Sequence, residues 1–460
     1  MASTPEAVQV LPPADVDAAA RGMTTTILKL AWPVVIERLS LSLLSAVDIA
    51  LVGRYVGEDG LAAVGIGTLM FWIPLSGALA IDVGSTAVVA RDVGRGDSSQ
   101  VQAGLRTAVV ASLIWGLLCT VVMFAFAPQL MRLMGADDDV AARGVEFLRA
   151  GCLGFPFLMV LYAISGSLRG MGNTWIPMVI LIVVNLLNAG VTYALISGAV
   201  ADLGTQASGI GYAVAGIAGG SLALAVIVLG IGPAKLDLRH LFSLERTAFD
   251  RLFHIGIPVG LEEAQFMLAF LVYTRIVATL GTDQLAAHSL ALRSLEIAIL
   301  PGFALATAAT ALVSRYLGAQ RPDLARSAAT RTFAIGFGTL CCMAVLQFAL
   351  APYIVDLFVD DPDVVANGTK LLRVFAFALP ALGIHSTLSG ALRGAGDVRF
   401  VLLTFTFTAW AIRVPVAFFM VVVLGLAVPF AWLAAVAENW VRAILVLRRF
   451  RAGKWTDLRV

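Results

Sequence analysis

Residues 156–173 read PFLMVLYAISGSLRGMGN and residues 380–397 read PALGIHSTLSGALRGAGD, the same pattern twice at an offset of 224 residues. Pro156/Pro380, Ser165/Ser389, Gly166/Gly390, Leu168/Leu392, Arg169/Arg393, Gly170/Gly394 and Gly172/Gly396 are identical pairs. The same offset pairs Gly57 with Gly281, Arg91 with Arg315 and Gly94 with Gly318, while Pro33 and Glu37 pair with Pro258 and Glu262 at 225. A register held through four separate segments marks a duplicated unit.

Composition says which solvent that unit faces. The chain has 460 residues, 59% hydrophobic and only 13% charged, against roughly 25% charged in soluble domains. That excludes a soluble enzyme, a disordered regulator and a secreted disulfide scaffold. Twelve spans of about 22 residues each would use a little over half the length. A net charge of +2 sets up no basic field for nucleic acid. Cys119, Cys152, Cys341 and Cys342 lie in apolar runs without metal or redox spacing and read as small hydrophobes. Residues 1–27 contain Glu6, Asp15 and Asp17 but no continuous apolar core. The first span is therefore expected to direct insertion itself.

Apolar runs bounded by Gly, Pro and charge place spans near 28–52, 62–89, 103–127, 145–168, 175–199 and 209–232, then 255–280, 285–313, 329–352, 369–392, 400–424 and 428–447. The expected organisation is a cytoplasmic segment 1–27, a six-helix lobe 28–232, a cytoplasmic linker 233–254, a second six-helix lobe 255–447 and a cytoplasmic tail 448–460. Most Lys/Arg fall on the side of the two termini, including Arg91, Arg95, Lys235, Arg251, Arg321, Arg393 and Arg449. The positive-inside rule makes that side cytoplasmic. Six helices return the chain to its starting side, so the copies are parallel repeats, an arrangement that transporters use.

The motifs resemble the multidrug and toxic compound extrusion (MATE) family over almost the whole chain. They are WPVVIERLSLSLLSAVDIALVGRYVG from Trp32, STAVVARDVGRGD from Ser85, SGSLRGMGNT from Ser165, AAHSLALRSLEIAILPGFALATAATALVSRYLGA from Ala286 and SGALRGAGD from Ser389. The resemblance implies an all-α polytopic fold of twelve transmembrane helices in two six-helix lobes around a V-shaped cavity. It also implies export of organic, often cationic, compounds against H⁺ or Na⁺.

Ionisable side chains at bilayer depth cost about 2.5–3.5 kcal/mol on insertion scales and need a partner, water or a function. Glu438 with Arg442, and Arg293 with Glu296, are spaced to neutralise each other on one helix face. Asp48 has no basic residue three or four positions away. Glu37, Ser45 and Asp48 lie on one arc of the first span, which should face the lobe interior. Desolvation there disfavours the charged carboxylate, so Asp48 is suited to exchange a proton. Asp48 also matches the family's first-span aspartate residue by residue, and Asn185 and Asn188 resemble its fifth-span polar motif.

The sequence departs from the family at several points. Thr192 stands where many relatives carry a second Asp, and Gly216 where a Thr is expected. Phe266 and Leu382 occupy the positions of the other branch's carboxylates. The losses at Thr192 and Gly216 favour H⁺ over Na⁺, and no metal set is assigned. Asp48, Asn185, Asn188 and Thr192 form the expected coupling and substrate site. Glu37, Ser45, Asp82, Glu262, Glu263, Arg293, Glu296 and Arg413 are candidate cavity-lining residues. His288 and His385 are expected to be satisfied by neighbouring carbonyls, and Arg169 and Arg393 to be topology anchors at cytoplasmic helix ends.

The reading is a secondary active exporter of amphipathic organic cations: a monomer without cofactor, in the inner membrane, with both termini cytoplasmic. A lipid-linked oligosaccharide or lipid flippase of the same superfamily (MOP) is the alternative. A major-facilitator carrier lacks its GxxxDRxGR-type loop here. A membrane enzyme would cluster the four scattered histidines.

Overall fold

A computed structural model describes residues 22–198, 200–201, 203–231, 233, 235–243, 245–356 and 362–458. Most of the expected segment 1–27 and the last two residues of the tail lie outside them. Among the described residues the chain is helical, with no strand. In chain order the first seven helices are α1 (Met23–Tyr55), α2 (Glu58–Arg95), α3 (Ser98–Leu133), α4 (Asp138–Cys152), α5 (Phe155–Gly170), α6 (Trp175–Ile196) and α7 (Thr205–Leu229). The remainder are α8 (Arg246–Ala278), α9 (Thr282–Gly318), α10 (Pro322–Asp356), α11 (Pro362–Ala376), α12 (Leu379–Ala395), α13 (Val398–Val423) and α14 (Val428–Arg451).

Nine of these helices are long and apolar enough to cross a bilayer, and eleven spans result if α4–α5 and α11–α12 each count as one. α1, with 33 residues, is also long enough, at 1.5 Å per residue. Lys29, Glu37, Arg38, Asp48 and Arg54 interrupt its apolar run, so apolarity alone does not recognise it. The spans expected as straight runs at 145–168 and 369–392 are bent pairs, angled by 52° and 49°. α7 fills the first bend: a Cβ on Gly154 would lie 2.7 Å from the Ala213 Cα, and one on Gly216 3.0 Å from the Gly154 carbonyl oxygen. The second bend frees the Phe377 carbonyl, which accepts from Trp440 Nε1 at 3.0 Å.

Local chemistry sets the helix ends. Asp97 accepts from the backbone N–H groups of Ser99 and Gln100 ahead of α3, and Asp137 from that of Val140 ahead of α4. Gly172 and Gly396, equivalent in the repeat, turn the chain after α5 and α12 at φ 88° and 93°, where a side chain would be strained.

Two compact units emerge. Of the described residues, one contains those within 36–260; the other contains those within 261–458 together with 22–35. The division therefore passes through α1 and α8 instead of through a linker. Met23, Ile27, Leu30, Ala31 and Val34 of α1 belong to a core with α9, α10, α12 and α14. The described residues of 233–254 likewise belong to the first unit. There Arg251 donates to both carboxylate oxygens of the fully buried Asp92, at 2.7 and 3.1 Å. Arg251 also donates to Gln100, and Gln100 in turn to Glu245.

Inside each unit, small residues bring helices into backbone contact, as expected where lipid supplies no hydrophobic force between them. Thr86 of α2 donates to the Gly166 carbonyl at 3.0 Å, and Thr310 of α9 to the Gly390 carbonyl at 2.9 Å. A Cβ on Gly170 would come 2.6 Å from the Thr86 oxygen, and one on Gly394 2.5 Å from the Thr310 oxygen. These contacts are the repeat of the sequence, drawn in space.

Candidate functional site

In the first unit Asp48 is only 4% exposed. Both of its carboxylate oxygens face the Ser208 hydroxyl of α7, at 2.8 and 2.9 Å. Among the described residues no Lys, Arg or His forms an ion pair with it. Ser208 and Gly211 are one turn apart on α7. Gly211 has no Cβ where Thr192 Oγ1 packs, and the Asn188 carbonyl lies 3.2 Å from the same point. α6 therefore closes on α7 beside the turn that holds Asp48. Thr192 Oγ1 and both amide atoms of Asn188 are buried without a protein partner. An unmatched buried polar atom costs about 1–3 kcal/mol, so these three atoms are suited to hold water, a hydrated proton or a cargo group. Asn185 is one turn earlier and donates to the Ser40 hydroxyl at 2.9 Å. Ser45 is exposed and does not join the buried set.

A second buried cluster lies in the same unit. Arg169 reaches Glu37 Oε1 with Nη2 and Asp82 Oδ1 with Nη1, each at 2.6 Å. Its exposure is 3%, and those of Glu37 and Asp82 are 2% and 6%. The expectation of a topology anchor is corrected here: the guanidinium turns inward because two carboxylates can neutralise it, whereas a lone arginine at a helix end would reach for water. The second unit repeats the motif with one carboxylate. Arg393 Nη2 meets Glu262 Oε2 at 2.7 Å, and Ala306 stands at the position equivalent to Asp82. Glu263 is half-buried beside Glu262.

Deeper in the second unit, Glu438 of α14 is fully buried between two arginines. Arg413 Nε lies 2.7 Å from Glu438 Oε2, and Arg442 pairs with Glu438 Oε1. Arg442 Nε also donates to Thr408 Oγ1 at 3.1 Å. The expected Glu438–Arg442 pair thus exists, enlarged by Arg413. Arg293 and Glu296 of α9 are exposed. His288 meets a side-chain donor instead of a carbonyl, with Trp432 Nε1 donating to its Nδ1 at 3.0 Å, whereas His385 Nε2 lies 2.9 Å from the side-chain carbonyl oxygen of Asn439. The repeated Glu–Arg positions, at offsets of 225 and 224 residues, were the signal available for the Arg169 and Arg393 contacts. Nothing in the sequence marks Ser208.

The sequence pattern of the MatE family matches residues 33–194 and again 258–419, one copy in each half. The chain belongs to the MatE family. Among its MatE relatives, the transporter YisQ of Bacillus subtilis is 24% identical over 94% of this chain and 95% of its own. The multidrug resistance protein PmpM of Pseudomonas aeruginosa is 28% identical over 85% and 83%. A MOP-superfamily transporter from Pyrococcus furiosus superposes with a TM-score of 0.89 over the full length of both chains at 21% identity. An outward-facing MATE-family multidrug resistance transporter superposes at 0.88, over 98% of this chain and 100% of its own, at 22% identity. The MatE fold, in an all-helical polytopic membrane protein, is therefore shared along the entire chain.

Proposed function

We propose that the chain is a secondary active multidrug exporter, exchanging amphipathic organic cations for H⁺ by alternating access. The multidrug resistance names of PmpM and of the similar MdtK of Pectobacterium atrosepticum support the class of cargo. Asp48 carries the coupling. It is a buried carboxylate with one hydroxyl partner, beside the open polar atoms of Asn188 and Thr192. Bound proton and bound cation compete for its single negative charge, and that competition is what an antiporter requires. H⁺ is favoured over Na⁺ because Thr192 offers one neutral oxygen where a second carboxylate would serve a hard cation better.

The test is ethidium efflux from vesicles under an imposed pH or Na⁺ gradient, with wild type beside Asp48→Asn. Proton-driven efflux lost in the variant is expected. Full gradient-driven efflux in Asp48→Asn would remove the coupling role from Asp48.

A further inference from the structure

An arginine, a phenylalanine and a proline recur together at the repeat offset of 224 residues, as Arg149, Phe124 and Pro128 in the first unit and Arg373, Phe348 and Pro352 in the second. Pro128 lies within α3 and Pro352 within α10. A proline has no N–H to offer the carbonyl one helical turn before it, here that of Phe124 or Phe348. The next helix supplies the missing donor. Arg149 Nε of α4 donates to the Phe124 oxygen at 3.3 Å, and Arg373 Nε of α11 to the Phe348 oxygen at 3.4 Å. Each guanidinium also lies over the ring of the same phenylalanine, its carbon 5.3 and 5.4 Å from the centroid.

Capping a carbonyl uses Nε alone. Among the described residues neither arginine makes an ion pair or donates through an Nη atom, and both side chains are exposed. The exposed Val121 and Val345 stand one turn from the two phenylalanines, and the exposed Leu153 and Phe377 one turn from the two arginines. These faces meet lipid. α3 and α10 have 36 and 35 residues. Centred on about 30 Å of hydrocarbon, they place Phe124 and Phe348 about 13 Å from the midplane, just inside the headgroup level. An arginine on a lipid-facing wall at that depth extends its charged end to the headgroups.

The two copies differ in one neighbour. Three residues before the arginine, and also exposed, stand Glu146 in α4 and Lys370 in α11. Other exposed charges at this end of the helix pairs, Arg132, Asp137, Asp138, Asp139 and Arg143 in the first unit and Asp356 in the second, lie toward the connecting turns.

We propose that the Nη forks of Arg149 and Arg373 each bind the phosphate of a membrane phospholipid, with Lys370 strengthening the second site and Glu146 weakening the first. A guanidinium and a phosphate join through two parallel N–H···O bonds, and the carbonyl and ring of the phenylalanine fix the plane of the fork. The assignment does not depend on cargo or coupling ion, so it stands or falls apart from the exporter reading.

Native mass spectrometry of the full-length protein in detergent, titrated with dioleoylphosphatidylglycerol, provides the test. In an Arg→Gln variant the amide nitrogen falls where Nε stood, so the carbonyl stays capped while the fork and its charge are lost. Arg373→Gln should weaken lipid binding about fivefold, the effect of one basic residue at a membrane surface. Arg149→Gln should weaken it only about twofold, because Glu146 already offsets that charge. Glu146→Gln, a change at an exposed side chain, should tighten binding about threefold, and it decides the matter if the arginine variants do not fold. Dioleoylglycerol, with the same chains and no phosphate, should stay at background. Unchanged lipid binding in Arg373→Gln, no tightening in Glu146→Gln, or dioleoylglycerol bound as well as the phospholipid overturns the proposal. Displacement of the lipid by inorganic phosphate, but not by chloride at equal ionic strength, gives the forks to a free anion and overturns the lipid assignment.

Discussion

Arg169 holds Glu37 at 2.6 Å in the first unit, and the residues equivalent to both by sequence repeat, Arg393 and Glu262, meet at 2.7 Å in the second. The copies differ in depth and charge. The first pair is buried and shares its guanidinium with Asp82, whereas the side chains of Arg393 and Glu262 are 19% and 14% exposed. Removing the cation should therefore cost unequally. Arg169→Ala strands two buried carboxylates and should destabilise by about 3–5 kcal/mol. Arg393→Ala removes one charged hydrogen bond from a partly wet site and should cost about 1.5–3 kcal/mol. Unfolding followed by size-exclusion fluorescence compares them, and equal losses would contradict the difference in burial.

At Asp48 the expected signature is in cargo binding. Protons and ethidium compete for one carboxylate, so ethidium affinity should fall as the medium is acidified. In Asp48→Asn it should be weak and flat with pH. A pH-dependent variant would place the titrating group elsewhere.

Close backbone approaches make specific glycines intolerant. A Cβ on Gly166 would run into the Asp82 carbonyl, and one on Gly390 into that of Ala306. Each Gly→Ala change should cost about 1–3 kcal/mol through overpacking. Gly190 in α6 meets nothing within 4 Å. There Gly→Ala should be neutral or stabilising by up to about 1 kcal/mol, because alanine restricts the unfolded chain and favours helix. Thermal unfolding of the three variants side by side tests the contrast.

Asp97 makes a prediction outside the bilayer. The Ser99 hydroxyl, then the Gln100 amide, hold its carboxyl below the usual aspartate range. A depressed pKa means that the cap's stabilisation is intact at neutral pH and is lost as pH falls through the folded-state value. The gap in melting temperature between wild type and Asp97→Ala should be full at neutral pH and narrow only in strong acid. Asp97→Asn, which caps without titrating, should show no such narrowing relative to its own neutral value.

The legible parts of the molecule were those written locally or twice. Apolar runs located the spans, because a bilayer demands some 20 apolar residues at a stretch, and the offset repeat revealed the duplication. Asp48 stood out because a carboxylate amid apolar residues with no cation one turn away has few structural uses. The bends after Cys152 and Ala376 were hidden, since a bent pair has the same hydropathy as a straight span. Ser208 was hidden too: it meets Asp48 across 160 residues of sequence, and a serine in an apolar helix ordinarily bonds its own backbone. Arg169 misled because arginines at helix ends usually mark a membrane surface. Only the co-repetition of Glu37 with Arg169 as Glu262 with Arg393 pointed to an ion pair.

The threonine-to-carbonyl bonds of Thr86 with Gly166 and Thr310 with Gly390 bear on what can take this protein apart. Hydrocarbon tails, in a bilayer or a detergent micelle, have no group that competes for those carbonyls, so extraction leaves the fastening untouched. Small alcohols and other hydroxyl-bearing solutes that dissolve among lipid chains do compete. They are the agents against which these helices have least protection.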